Sequence, residues 1–194
     1  MTSKIGRLAA AFLITSALAM TAAYASEPIK GWWEAGGAPQ DYDFGTEHVD
    51  GAPSQKSAFI KWIGPKSNSW GTLSQATSAA PYLGKRVRLS VMIKTKDADS
   101  AQLWLQMQGP GNKMLGFYNM DDRPVKGTTD WKRYDAVLDV PKDTQEIYFG
   151  YFLKGKGEAW ADNVKIEAVG DEVPVSTQYP NKYPDKPANM DFKE

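Results

Sequence analysis

Strict alternation of apolar and polar residues marks 85–95, KRVRLSVMIKT, where Val87, Leu89, Val91 and Ile93 fall on one face. In 101–109, AQLWLQMQG, Leu103, Leu105 and Met107 share one face, and Gln102, Trp104, Gln106 and Gln108 share the other. The same period of two predicts strands over 57–63, 70–76, 113–119, 131–140, 145–154 and 158–169. Gly, Pro, Asn and Asp punctuate the gaps, as in Gly109-Pro110-Gly111-Asn112, and Gly155-Lys156-Gly157 reads as a tight hairpin turn. The stretch 41–51, DYDFGTEHVDG, reads as loop. Nothing after residue 25 keeps a helical apolar period. Short strands at intervals of about 8 to 12 residues predict an all-β sandwich or barrel.

Both ends depart from this pattern. Lys4 and Arg7 precede an apolar stretch from Leu8 to Met20, and Ala23-Tyr24-Ala25 supplies a small-x-small cleavage pattern. Residues 1–25 are therefore expected to be a signal peptide cleaved after Ala25, giving a periplasmic or secreted chain. The stretch is too short for an ordinary spanning helix and no second long apolar run follows, so no membrane span is expected after cleavage. Residues 26–170 form the expected domain. Residues 171–194 hold four Pro without alternation and read as an extended tail.

Composition narrows the chemistry. With no Cys and a single His, His48, the chain has no thiol nucleophile, no disulfide and no multi-His metal centre. Its 23 Lys and Arg balance 23 Asp and Glu, which leaves no basic excess for nucleic acid. There is no Gly-x-Ser-x-Gly elbow, no phosphate loop and no nucleotide fingerprint. The expectation is a non-catalytic protein without a required cofactor.

Three stretches carry a resemblance: the run from Asn119 to Trp131 (NMDDRPVKGTTDW), KRYDAVLDVP at 132–141, and EIYFGYFLKGKGEAWADNVKIEAV at 146–169. Gly31-Trp32-Trp33 and GTLSQ at 71–75 extend it over most of 30–175. Together they resemble an exported bacterial domain that also occurs appended to some AraC-type regulators and exported hydrolases. It is similar to the galactose-binding-like jelly rolls of carbohydrate-binding modules, whose final strand ends in Asp-(Asp/Asn)-Val, here Asp162-Asn163-Val164. The resemblance implies a jelly-roll β-sandwich and a ligand-binding role. Such modules often open on an Asn-Leu-x-Phe-Glu strand, which is absent here. A similar string, Asn189 to Glu194, stands at the end of the tail, either docking on the sandwich edge or free.

Carbohydrate is the leading ligand, because a flat ring stacks on a pyranose face while amides pair with its hydroxyls. Trp104, Gln106 and Gln108 are the candidates on the sheet, joined by Tyr118, Asn119 and Arg123 around the loop that follows. Two readings of Trp104 stand: a stacking platform, or a ring covered by the 119–130 loop. Arg123 is either a ligand contact or a clamp on Asp121 or Asp122. Tyr148 and Phe152 lie on the ligand face or belong to a core with aromatics on both sides. A cell-envelope polypeptide is the alternative partner, and a glycan-active enzyme a third reading. Related jelly rolls often hold a structural calcium, for which Asp162 and Glu34 are the oxygen ligands available here.

Overall fold

The computed structural model of the chain describes residues 28–65, 68–177 and 189–190. Residues 1–25, expected to be a signal peptide, and Asp191 to Glu194 lie outside the described residues. The strands are β1 (Trp33–Gly36), β2 (Tyr42–Glu47), β3 (Ser57–Trp62), β4 (Trp70–Ser78) and β5 (Arg86–Gln108). They continue as β6 (Met114–Tyr118), β7 (Val125–Asp139), β8 (Glu146–Lys154) and β9 (Glu158–Val169).

The fold is an all-β jelly roll organised around β5. Its first half, Arg86 to Lys96, pairs with β7 on one side and β9 on the other; its second half, Ser100 to Gln108, pairs with β8 and β6. One layer therefore runs β2-β3-β9-β5-β7 and the other β1-β4-β8-β5-β6, with β5 belonging to both. The two strands expected over 85–95 and 101–109 are thus one chain turning a corner. The β5–β7 register shifts three times between Ile93 and Ala101, and Asp97 adopts a φ of 50°. Bulges of this kind bend a strand and let it leave one sheet for the other.

The core lies between the layers. Val87, Leu89, Val91 and Ile93 meet Leu103, Leu105, Met107 and the β8 residues Ile147, Phe149, Tyr151 and Leu153 there. Period-two alternation had put the β5 residues on common faces, and burial follows that pattern.

Three expectations need correcting. Residues 42–47 are strand β2, not loop, because Tyr42 and Phe44 are buried against the core and pair with β3. The 119–130 loop is shorter, since Val125, Gly127 and Thr129 already pair with β5. Gly155-Lys156-Gly157 is no hairpin: β8 and β9 lie in different layers, and the three residues carry the chain between them. Gly157 has a φ of 97°, and a Cβ there would stand 2.4 Å from the Asp97 carbonyl oxygen, so only glycine fits against the β5 corner.

The start of the tail is pinned. The Ser176 amide donates to the Val137 carbonyl at 2.8 Å, and the Val137 amide donates back to Ser176 Oγ at 3.0 Å. Arg86 Nη1 donates to the carbonyls of Asp171 and Val173, each at 2.7 Å.

Candidate functional site: an aromatic groove on the β8 layer

Residues that alternate with the core point outward on the layer β1-β4-β8-β5-β6. β8 contributes Tyr148, Gly150, Phe152 and Lys154; β4 contributes Trp70, Thr72 and Ser74; β5 contributes Trp104 and Gln106. Register brings Trp104 opposite Gly150, Gln106 opposite Tyr148, and Gln106 opposite Phe117 of β6. The result is a groove of about 620 Å³ with walls of Trp33 and Trp70 from one side and Met114 and Phe117 from the other. Trp33, Trp70 and Phe117 are each 40–42 % exposed although large and apolar. Trp33 stands edge-on to Tyr148 at 6.1 Å between ring centroids, and Trp70 edge-on to Phe152 at 5.8 Å, so each wall ring is braced by one from β8.

Trp104 forms the floor. Its indole reaches across β8, and Nε1 donates to Thr72 Oγ1 on β4 at 3.0 Å. It crosses at Gly150, where a Cβ would stand 2.1 Å from the Leu73 carbonyl oxygen and 3.0 Å from Trp104 Nε1. A side chain at 150 would thus displace both the neighbouring strand and the indole.

Amides line one flank. Gln106 Nε2 donates to Gln108 Oε1 at 2.6 Å, and Gln108 Nε2 donates to Asn112 Oδ1 at 3.1 Å. Asn119 and Asp121 reach the groove from the loop after β6. Gln102 holds that loop in place: it is 2 % exposed, and its Nε2 donates to the Asn119 carbonyl at 2.8 Å and to Asp121 Oδ1 at 2.9 Å. Lys154, at one end, has an ammonium without a partner among the described residues.

Of the candidates read from sequence, Trp104, Gln106 and Asn119 come together on the groove, and Gln108 sits just beyond it, holding Gln106. Tyr118 does not reach it. Register places Tyr118 opposite Leu105, facing inward, and its hydroxyl donates to Asp122 Oδ1 at 2.8 Å. Burial is the main reason its phenol is raised above the usual range. Arg123 is the clamp: Nε donates to the Tyr118 hydroxyl at 2.9 Å, Nη2 donates to the Asp135 carbonyl, and Asp122 lies 3.9 Å away. The structure thus places Tyr118 and Arg123 in that network and not in the groove lining.

Glu34 and Asp162 are not brought together as a calcium site. Glu34 is on β1 at the edge of one layer, while Asp162 is on β9 in the other. The Asp162 carboxylate already accepts from the Ser54 amide and hydroxyl, the Ser57 hydroxyl and the Asn163 amide. Among the described residues, no three His, Asp or Glu side chains are grouped to hold a metal. His48 is exposed, 3.6 Å from Asp50.

Sequence reasoning left Trp33 and Trp70 open and did not single out Thr72, Phe117, Asp121 or Lys154. For Trp70 and Thr72 the signal was the alternation of WGTLS, which puts them on the face opposite Leu73.

No known family profile matches the chain. It is 36 % identical over 174 residues to an uncharacterized HTH-type transcriptional regulator, YbfP, of Bacillus subtilis (strain 168), a match covering 88 % of this chain. The chain spans 59 % of that relative's length. The likeness is compatible with a domain that also occurs appended to regulators.

Among solved structures, the C-terminal family 22 carbohydrate-binding module of Clostridium thermocellum Xyn10B is similar at a TM-score of 0.54 and 15 % identity. That match covers 76 % of this chain and 90 % of the module. The CBM22-1–GH10 modules of C. thermocellum Xyn10B, complexed with xylohexaose, match at 0.55 and 14 % identity, over 76 % of this chain and 28 % of that one. The enzymatically active domain of bacteriophage CBA120 tailspike protein 4 matches at 0.57 and 13 % identity, over 75 % of this chain and 21 % of the tailspike chain. These likenesses establish the jelly-roll fold of carbohydrate-binding modules. Among the described residues, no helix is long and apolar enough to cross a membrane.

Proposed function

We propose that the chain is an exported, non-catalytic module that binds carbohydrate in the aromatic groove. The observation that carries this reading is Trp104, laid across the groove floor between aromatic walls and beside an amide flank. A pyranose presents one face of C–H groups to such a ring and its hydroxyls sideways to amides. Gln106, Asn119, Asp121 and Lys154 supply acceptors and donors for those hydroxyls. The structural neighbours that are carbohydrate-binding modules support the same ligand class. Glycoside hydrolysis needs two carboxyl groups facing each other about 5 to 10 Å apart. Asp121 is the one carboxylate on the groove among the described residues, which favours binding over cleavage. The N-terminal leader pattern supports export.

The test is a glycan array probed with residues 26–194 and with Trp104→Ala. Binding by the parent chain that falls about thirtyfold or more in the variant, with the melting temperature kept, is the expected result, in line with an aromatic hot spot of about 2 kcal/mol. An array silent for the parent chain would overturn the carbohydrate reading and direct the search to a cell-envelope polypeptide. The exposed apolar rim of Met114 and Phe117 would also suit that partner.

A further inference from the structure

We infer that Thr72 and Gly150 are positioning residues that lock Trp104 into a platform able to offer a ligand only its ring face. The inference rests on the groove being the binding site. It adds how the site is preorganised and which groups are left to choose the ligand.

Three strands build the lock. Thr72 on β4 is 2 % exposed, and its hydroxyl accepts from Trp104 Nε1 at 3.0 Å and donates to the Tyr151 carbonyl at 2.9 Å, its shortest contacts, with the Leu73 carbonyl at 3.3 Å and Ser74 Oγ at 3.5 Å farther off. The donation to a strand carbonyl fixes the hydroxyl's rotamer, so its lone pair is aimed at the indole before any ligand arrives. Gly150 on β8, between β4 and β5, leaves the space through which the ring reaches Thr72. A ring on β5 is thereby tethered two strands away. Tethering removes the rotamer freedom that binding would otherwise have to freeze.

The lock has a consequence for specificity. The indole N–H is the ring's single polar group, and Thr72 holds it. Trp104 therefore cannot read a hydroxyl. Stacking is common to many sugars, so discrimination falls to Gln106, Asn119, Asp121 and Lys154 on the flank. Trp33 and Trp70 differ in kind, because neither indole N–H has a partner among the described residues.

The first experiment uses the unaltered chain without ligand: hydrogen exchange of the tryptophan indole protons followed by NMR. Slow exchange at Trp104 beside fast exchange at Trp33 and Trp70 is expected. Exchange at Trp104 as fast as at those two would overturn the lock.

The second experiment compares Thr72→Val, which keeps the shape and removes the acceptor, with Thr72→Ser, which keeps the hydroxyl. Indole protection should be lost in the valine variant and kept in the serine variant. Affinity for xylohexaose, or for the best array glycan if that differs, should fall about tenfold in the first and stay within about twofold in the second, the scale of one hydrogen bond. Unchanged protection or affinity in Thr72→Val would refute the inference. If the valine variant does not fold, the exchange contrast in the unaltered chain still decides. A silent array with a protected Trp104 indole would leave the lock standing and remove the carbohydrate reading, so the two failures are distinguishable.

Discussion

Tyr151 points from β8 into the core with 1 % of its surface exposed, and its hydroxyl finds no hydrogen-bond partner among the described residues. Burial pushes its phenol well above the ordinary range, so the group is neutral at pH 7. A buried hydroxyl without a partner costs about 1 to 3 kcal/mol of lost hydration. Phenylalanine keeps the ring and removes that cost, leaving a gap of one oxygen atom. Tyr151→Phe should therefore raise the melting temperature by about 3 °C, taking about 1 kcal/mol as the net gain in a domain of this size. Calorimetry decides it, and a lower melting temperature would mean that the hydroxyl has a partner, such as an internal water. Tyr151 and Tyr148 stand three positions apart on one strand with opposite fates. Tyr148, on the groove, donates to Glu146 Oε2 at 2.9 Å.

At the scale of elements, β9 and β5 are joined across their outer face by Glu167, which accepts from Lys165 at 2.5 Å and from Arg88 Nη2 at 2.7 Å. The hydrogen bond from Lys165, then that from Arg88, lowers the carboxyl to about 2. A carboxyl depressed on folding stabilises the fold above its unfolded pKa of about 4.5. That stabilisation is lost as pH falls through 2. Glu167→Gln should thus melt slightly below the parent chain at pH 7. The gap should narrow below pH 4.5, close near pH 2, and shrink in high salt because the pair is at the surface. A gap independent of pH would show that packing, not charge, is what the glutamate supplies.

The same strands show which parts of the molecule were legible in sequence. Alternation revealed the faces of β5 and β8 because one side of each is buried and a single slip in register would expose it. β2 was missed because Tyr42-Asp43-Phe44 is too short a run to establish a period before Gly45 ends it. The corner of β5 was hidden because bulges break the alternation where the strand continues. Residue type and loop position made Tyr118 and Arg123 candidates, while the pairing with Leu105 that turns Tyr118 inward, and the bond Arg123 makes to its hydroxyl, were not legible. The alternation of WGTLS puts Thr72 on the outward face, but its bond to Trp104 was not legible, since that depends on which strand lies two places away.

For the whole molecule, sharing β5 between layers leaves β1, β6, β2 and β7 as the outer strands. An open edge is a template for pairing with another chain. The described start of the tail covers the β7 edge: Ser176 takes both the amide and the carbonyl of Val137, and Arg86 grips the carbonyls of Asp171 and Val173 while also pairing with Asp139 at 2.7 Å. Four hydrogen bonds worth about 0.5 to 1.5 kcal/mol each are offset by the ordering of several residues at about 1 kcal/mol or more apiece. The net stabilisation is therefore small, and the larger effect should be on association. A chain ended after Gly170 should melt within a few degrees of the parent. It should also self-associate in a concentration-dependent way, visible by light scattering at concentrations where the parent chain shows no change. Ser176→Pro, which removes the amide and the hydroxyl facing Val137 but keeps the rest of the tail, should reproduce part of that association. If both variants scatter as the parent does, the tail segment lies on the edge without guarding it.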